Sequence, residues 1–161
     1  MNEKLLDMIN EQMNFELQSA YEYKAMQIYA DDEQFEGFAH WYGCQVMEEV
    51  EHAEKMTKFL LDVGYKPVYK TLETPDAEFA DLLDVARKAL EHEKEVTRRI
   101  DEIAKVAREE RDERVISFIR WYVDEQVEEE DNFNKLVTRL ERINGNYGGL
   151  YILDGQLAHR G

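Results

Sequence analysis

The 161-residue sequence predicts an all-α fold, an antiparallel four-helix bundle with one long crossover. Three observations predict it. Between a few punctuating residues the chain is rich in Glu, Lys, Leu, Ala, Met and Arg, all good helix formers, and strand signals are nearly absent. The two prolines, Pro67 and Pro75, fall in one stretch near the middle. On either side of that stretch, apolar residues recur in steps of three and four.

Each element has its own signals. Helices are expected over roughly 3–31, 34–63, 75–109 and 112–144, followed by a short tail, all within one domain spanning 1–161. Asp31 with Gln34 resembles a capping box opening the second helix. Gly64 closes that helix, and Pro67 prevents its continuation. Thr74 as N-cap and Pro75 at the first helical position open the third. Asp112 caps the fourth, and Asn144-Gly145-Asn146 ends it. The first and last joints are short, which forces antiparallel neighbours. The link from Gly64 to Thr74 reaches about 36 Å when extended, against about 45 Å for a thirty-residue helix. That is too long for a hairpin. It implies a crossover that sets the second and third helices parallel.

Composition narrows the function. Thirty-six acidic against 20 basic residues give a net charge of −16, which repels nucleic acid and anionic lipid and gathers cations. No run of 18 apolar residues exists to span a membrane, and the first residues lack the pattern of a secretory signal. The lone Cys44 excludes a disulfide framework and any cysteine-based cluster. A cytoplasmic protein is expected.

The apolar stripes carry the chemistry. The first reads Ile9, Gln12, Glu16, Ser19, Tyr23, Met26, Ala30, and the second Phe35, Phe38, Tyr42, Gln45, Glu49, His52, Met56, Leu60, Val63. The third reads Phe79, Leu82, Ala86, Leu90, Glu93, Val96, Ile100, Ile103, Ala107. The fourth reads Val115, Ile119, Tyr122, Gln126, Glu129, Phe133, Leu136, Leu140, Ile143. Every stripe has one glutamate near its midpoint. One such residue is an ordinary boundary position; four at matching depth must be protonated, paired or metal-bound. No Lys or Arg lies on the stripes, whereas two divalent cations balance four negative charges. Glu49 and His52 stand one turn apart in an E-x-x-H segment, so Glu49 can bridge two ions while imidazole ligates one. Oxygen-rich ligation with one imidazole suits iron or manganese, with zinc as a competitor. A second E-x-x-H is absent, because Asn132 follows Glu129 at that spacing. From the residues alone, Glu48, Glu125 and Glu128 read either as solvated carboxylates or as a third metal site. His40, His92 and His159 read as surface or packing residues.

Over essentially its whole length the chain resembles the non-haem ferritins of bacteria and archaea. The resemblance is carried by Asn10-Glu11-Gln12-Met13-Asn14-Phe15-Glu16, Glu48-Glu49-Val50-Glu51-His52-Ala53, His92-Glu93 and the segment from Trp121 to Glu130. It implies a ferroxidase centre in which Glu16, Glu49 and His52 hold one iron, and Glu49, Glu93 and Glu129 a second with Gln126 beside it. A third, weaker iron site would use Glu48, Glu125, Glu128 and Glu129. Tyr23 and Trp121 match aromatics able to donate electrons. Haem is not expected, since Val50 stands where bacterioferritins place a haem-ligating Met. The tail over 147–159 corresponds to a short fifth helix. The resemblance also implies a hollow cage of twenty-four subunits, with Fe(II) and O₂ or H₂O₂ as substrates.

Three readings follow. The leading one is iron storage with ferroxidase activity and deposition of ferric oxo-hydroxide. The others are a di-iron, rubrerythrin-like peroxidase that stores nothing, and an acidic bundle that only sequesters metal. Tyr29, Trp41 and Tyr65 are expected on outer helix faces, available for contacts between subunits.

Overall fold

The computed structural model describes residues 2–161. It contains α1 (Glu3–Asp32), α2 (Glu36–Asp62), α3 (Leu82–Glu109), α4 (Glu113–Ile143) and α5 (Tyr147–Leu157). Among the described residues, no helix is long and apolar enough to cross a membrane. The four long helices form the bundle, and the tail forms α5 across one end.

The joints follow local chemistry. Asn2, Asp81, Asp112 and Asn146 cap the N-termini of α1, α3, α4 and α5, accepting from backbone N–H groups of Leu5, Asp84, Val115 and Gly149. The ends of α1, α2 and α3 share one pattern. Phe35 N–H reaches Ala30 O at 2.9 Å, Tyr65 N–H reaches Leu60 O at 2.8 Å, and Asp112 N–H reaches Ala107 O at 3.0 Å. These are Schellman closures, whose pivots Gln34, Gly64 and Arg111 sit at φ 68°, 85° and 53°. Gln34 therefore reverses the chain after α1 and does not serve a capping box. The cap position Phe35 of α2 has no side-chain cap. Asp154 of α5 supplies the missing acceptor, taking Phe38 N–H at 2.8 Å.

The start of α3 differs from expectation. It begins at Leu82 with Asp81 as cap, so Thr74 and Pro75 lie in the crossover and not at a helix end. Side-chain amides hold that segment extended along α1. Asn10 Nδ2 donates to Val68 O at 3.1 Å and Asn10 Oδ1 accepts from Val68 N–H at 2.9 Å. Asn14 Oδ1 accepts from Lys70 N–H at 2.8 Å, and Gln18 Oε1 accepts from Glu73 N–H at 2.7 Å. Residues 10, 14 and 18 stand one turn apart on one face, so a helix surface acts as the partner strand for an otherwise unpaired backbone. Phe79 then packs edge-on against Tyr29, ring centroids 5.2 Å apart. The strap thus travels alongside α1 from Asp7, which accepts from the Tyr65 hydroxyl, to Tyr29. It delivers α3 to the end where α2 starts, which makes α2 and α3 parallel.

A polar layer divides the apolar core. One cluster includes Leu5, Ile9, Met56, Leu60, Ile100 and Ile119; the other includes Tyr23, Phe38, Tyr42, Val85, Phe133 and Leu140. Tyr29 and Trp41 pack one side against the second cluster and Tyr65 against the first, and all three are half-buried at the bundle's outer faces. The exposed apolar side chains are others, including Ile28, Met47, Leu61, Val127 and Ile152.

The seating of α5 on α2 is testable. A Cβ at Gly37 would lie 1.8 Å from Asp154 O. Gly37→Ala should displace α5 and destabilise the fold by about 1–3 kcal/mol. Gln34→Gly, which relieves a left-handed pivot, should instead be neutral or stabilising by up to about 1 kcal/mol. Denaturant midpoints of both variants check the pair. Gly37→Ala at wild-type stability would refute the close approach.

Candidate metal centre

The four stripe glutamates come from four helices and meet in the layer between the two apolar clusters. Glu16, Glu49, Glu93 and Glu129 are all buried, as are His52 and Gln126. Their ligand atoms sort into two buried groups that share Glu49. Glu16, Glu49 and His52 form one, and Glu49, Glu93 and Glu129 the other, with the ligand atoms in each within 4.8 Å of one another. His52 Nδ1 lies 3.4 Å from Glu49 Oε2. A third group, Glu48, Glu125 and Glu129, sits at the margin, its first two members half-buried. Glu128 is exposed and outside that group.

Amides and hydroxyls hold the carboxylates. Gln12 Nε2 lies 3.4 Å from Glu16 Oε1. Gln45 Nε2 donates to Glu49 Oε1 at 3.0 Å and to Glu129 Oε2 at 2.7 Å. Gln126 Nε2 donates to Glu93 Oε2 at 3.1 Å, and the Tyr23 hydroxyl donates to Glu93 Oε1 at 2.5 Å. The Tyr122 hydroxyl donates to His52 O at 2.6 Å, anchoring that turn of α2. Glu16 Oε2 is buried with no hydrogen-bond partner. A buried carboxylate oxygen left without a donor is costly and marks where a cation fits.

Electrostatics agree with the geometry. Burial, then the neighbouring Glu49, pushes Glu16 well above the usual carboxylate range. Burial and Glu49 push Glu93 up to about 8; burial and Glu93 push Glu129 up to about 10. Glu49 moves the other way: burial opposes its charge, but hydrogen bonding, led by His52, outweighs that and lowers it. His52 is raised, because its hydrogen bond to Glu49 outweighs burial. Burial thus favours the protonated form at Glu16, Glu93 and Glu129, and hydrogen bonding favours the charged form at Glu49. An oxygen-rich donor set with one imidazole and several titratable carboxylates suits a hard divalent cation.

Of the aromatics, Tyr23 is fully buried and joined to Glu93. Trp121 meets His52 edge-on at 5.4 Å, and the Lys55 ammonium lies 3.5 Å above its ring. His92 stacks on Phe15 at 5.1 Å and bonds the Ser19 hydroxyl at 2.6 Å, a packing role. Periodicity places Gln12 and Gln45 on the stripes but assigns no partner to their amides. The available signal was a stripe glutamine one turn before a stripe glutamate, at 12/16 and 45/49. Arg160 also reaches this region and had no signal at all.

Comparison with known proteins points the same way. A sequence model of the family described as "Ferritin: Ferritin-like domain" matches residues 6–143. The bacterial non-heme ferritin of Staphylococcus haemolyticus is 37% identical over 160 residues, covering 99% of this chain and 96% of its relative. That of Staphylococcus aureus (strain USA300) is 36% identical with the same coverage, 99% and 96%. Among solved structures, an open pore ferritin from the archaeon Archaeoglobus fulgidus superposes with a TM-score of 0.98 at 36% identity, covering 100% of this chain and 99% of that one. A humanized archaeal ferritin superposes at 0.99 with 36% identity, covering 100% and 98%.

The raised carboxyls make stability depend on pH. A group whose folded-state pKa lies above its ordinary 4.5 contributes fully below that value and loses its contribution as pH rises through the folded value. Metal-free protein should therefore weaken from about pH 5 upward through 8 and towards 10, by up to about 1.4 kcal/mol per pH unit for each titrating group. Zn(II) should stabilise most at the upper end, where fewer protons remain to be displaced. Melting temperatures across pH 5–9, with and without Zn(II), measure this. A metal-free melting temperature that is flat or rises with pH would contradict the assignment.

Proposed function

The chain belongs to the ferritin family, and from that premise we propose that it stores iron, oxidising Fe(II) at the buried centre and depositing it as ferric oxo-hydroxide inside a twenty-four-subunit cage. The observation that carries this reading is the pair of buried groups sharing Glu49, with an unpartnered oxygen on Glu16. Glu16, Glu49 and His52 take one Fe(II); Glu49, Glu93 and Glu129 take the second. On binding, Glu16, Glu93 and Glu129 give up protons. Anionic oxygen ligands favour Fe(III) over Fe(II) and so drive oxidation. Each Fe(II) loses one electron; O₂ gains two electrons and two protons and leaves as H₂O₂, or H₂O₂ gains the same and leaves as two waters. With the outer site also filled, O₂ can go to two waters by taking four electrons and four protons, three electrons from three Fe(II) and the fourth from Tyr23, whose own proton passes to Glu93 across the 2.5 Å hydrogen bond. Trp121 is less suited, since the Lys55 ammonium over its ring opposes loss of negative charge. Val50 offers no ligand for haem. The acid-rich surface draws Fe(II) inward, an effect screened by salt.

Glu128 stands apart from the third group, so the outer site rests on Glu48, Glu125 and Glu129. Glu49→Ala should abolish the fast phase of Fe(II) oxidation, at least about a hundredfold, while Glu128→Ala leaves that phase near wild type. Stopped-flow absorbance after mixing with O₂ reads both. Fast oxidation by Glu49→Ala would end the ferroxidase reading.

Storage needs space outside the packed core. With on the order of a hundred Fe(II) added per chain in air, far beyond the ligand sets, iron should stay soluble and co-migrate with one large particle. Turnover by a small oligomer that precipitates its product would favour the peroxidase without storage.

A further inference from the structure

One side chain reaches the centre from outside the four long helices. Arg160 follows α5, and its guanidinium lies against α2. Nη1 donates to Trp41 O at 3.0 Å, and the group stacks 4.5 Å from the Trp41 ring centroid. Nη2 donates to Gln45 Oε1 at 3.0 Å and lies 3.1 Å from Glu48 Oε2. The Arg160 carbonyl is held in turn by His40 Nε2 at 2.5 Å. A surface ion pair alone would mean little. Here the Arg160 side chain is only 18% exposed, and Gln45 spends its own amide nitrogen on Glu49 and Glu129. With its carbonyl taken by Arg160, Gln45 can turn only its N–H groups to the carboxylates. Glu48, meanwhile, is one of the three residues of the outer group. Among the described residues, Arg160 is the only Lys or Arg side chain paired with any of the three.

We propose that Arg160 is a built-in counter-ion of the outer carboxylate group: it occupies Glu48 and orients Gln45, so that a third cation binds only as the guanidinium withdraws. This rests on the reading of the buried groups as metal sites and adds an order of filling to it. The two groups that share Glu49 fill first, because no Lys or Arg side chain is paired with them. At the outer group a divalent ion meets a resident positive charge within a few ångströms, which makes the third position weak by construction. Arg160 acts through Glu48 and Gln45, so it is a positioning residue.

The experiment is calorimetric titration of the assembled, metal-free protein with Zn(II), which is redox-inert, with Co(II) absorbance as a second readout of each site. Wild type should bind two cations tightly and a third more weakly. Arg160→Ala should tighten the third by about tenfold or more, since a nearby unit charge is removed, and leave two tight cations in place. Arg160→Gln, which keeps a hydrogen-bonding amide and drops the charge, should do the same. Arg160→Lys should fall between, as a point charge cannot make the forked contacts. In a Glu48→Gln background, Arg160→Ala should tighten the third site much less than it does in wild type, an outcome that loosened packing alone would not produce. Third-site affinity unchanged or weaker in both Arg160→Ala and Arg160→Gln, with two tight cations retained, overturns this inference alone. If wild type binds no cation at the buried groups, the metal-centre reading falls and this inference with it. Should Arg160→Ala fail to assemble, the Gln and Lys variants decide the question.

Discussion

Everything in this structure is arranged around four carboxylates brought to one depth inside a helical bundle. Glu16, Glu49, Glu93 and Glu129 cannot all be charged, dry and unpaired. The fold meets that constraint in three ways. It leaves charge on Glu49 beside His52, places protons on the others, and surrounds them with the amides of Gln12, Gln45 and Gln126 and the hydroxyl of Tyr23. The layer splits the apolar core into two clusters, which act as clamps above and below it. A rigid frame of this kind keeps like charges together when no cation offsets them. The stability given up at the layer is what a cation bound there would restore.

The remaining architecture serves the register of that layer. Four glutamates coincide only if each helix has the correct direction and axial offset. Schellman closures pivoting on Gln34 and Arg111 fix α1 against α2 and α3 against α4. The strap fixes one pair against the other. An extended segment has no ladder of its own, and Asn10, Asn14 and Gln18 supply one from the flank of α1. A slip of one turn in this amide ladder would move α3, and Glu93 with it, by about 5 Å. That exceeds the spread of the ligand atoms in either buried group. At the opposite end, Gly37 lets α5 approach closely enough for Asp154 to cap α2. The same docking carries Arg160 to the edge of the carboxylate layer, so the tail is continuous with the site.

The sequence alone determined the fold class, the crossover and the identity of the four core glutamates with His52. These follow from period-3.6 patterning, in which a polar residue on an apolar stripe stands out whatever its neighbours are. Tertiary structure decided where α3 begins. Thr74-Pro75 carries good local start signals, yet hydrogen bonds from α1 keep that stretch extended until Asp81. Only the fold also showed that Tyr29, Trp41 and Tyr65 pack partly against the core, that Glu128 is exposed, and that Arg160 reaches Glu48 and Gln45. The physical reason is one of range. Periodicity reports which face of its own helix a residue occupies, and a chemistry concentrated on four such faces can be read one helix at a time. Contacts between elements far apart in sequence depend on offsets and docking angles, which no local pattern records.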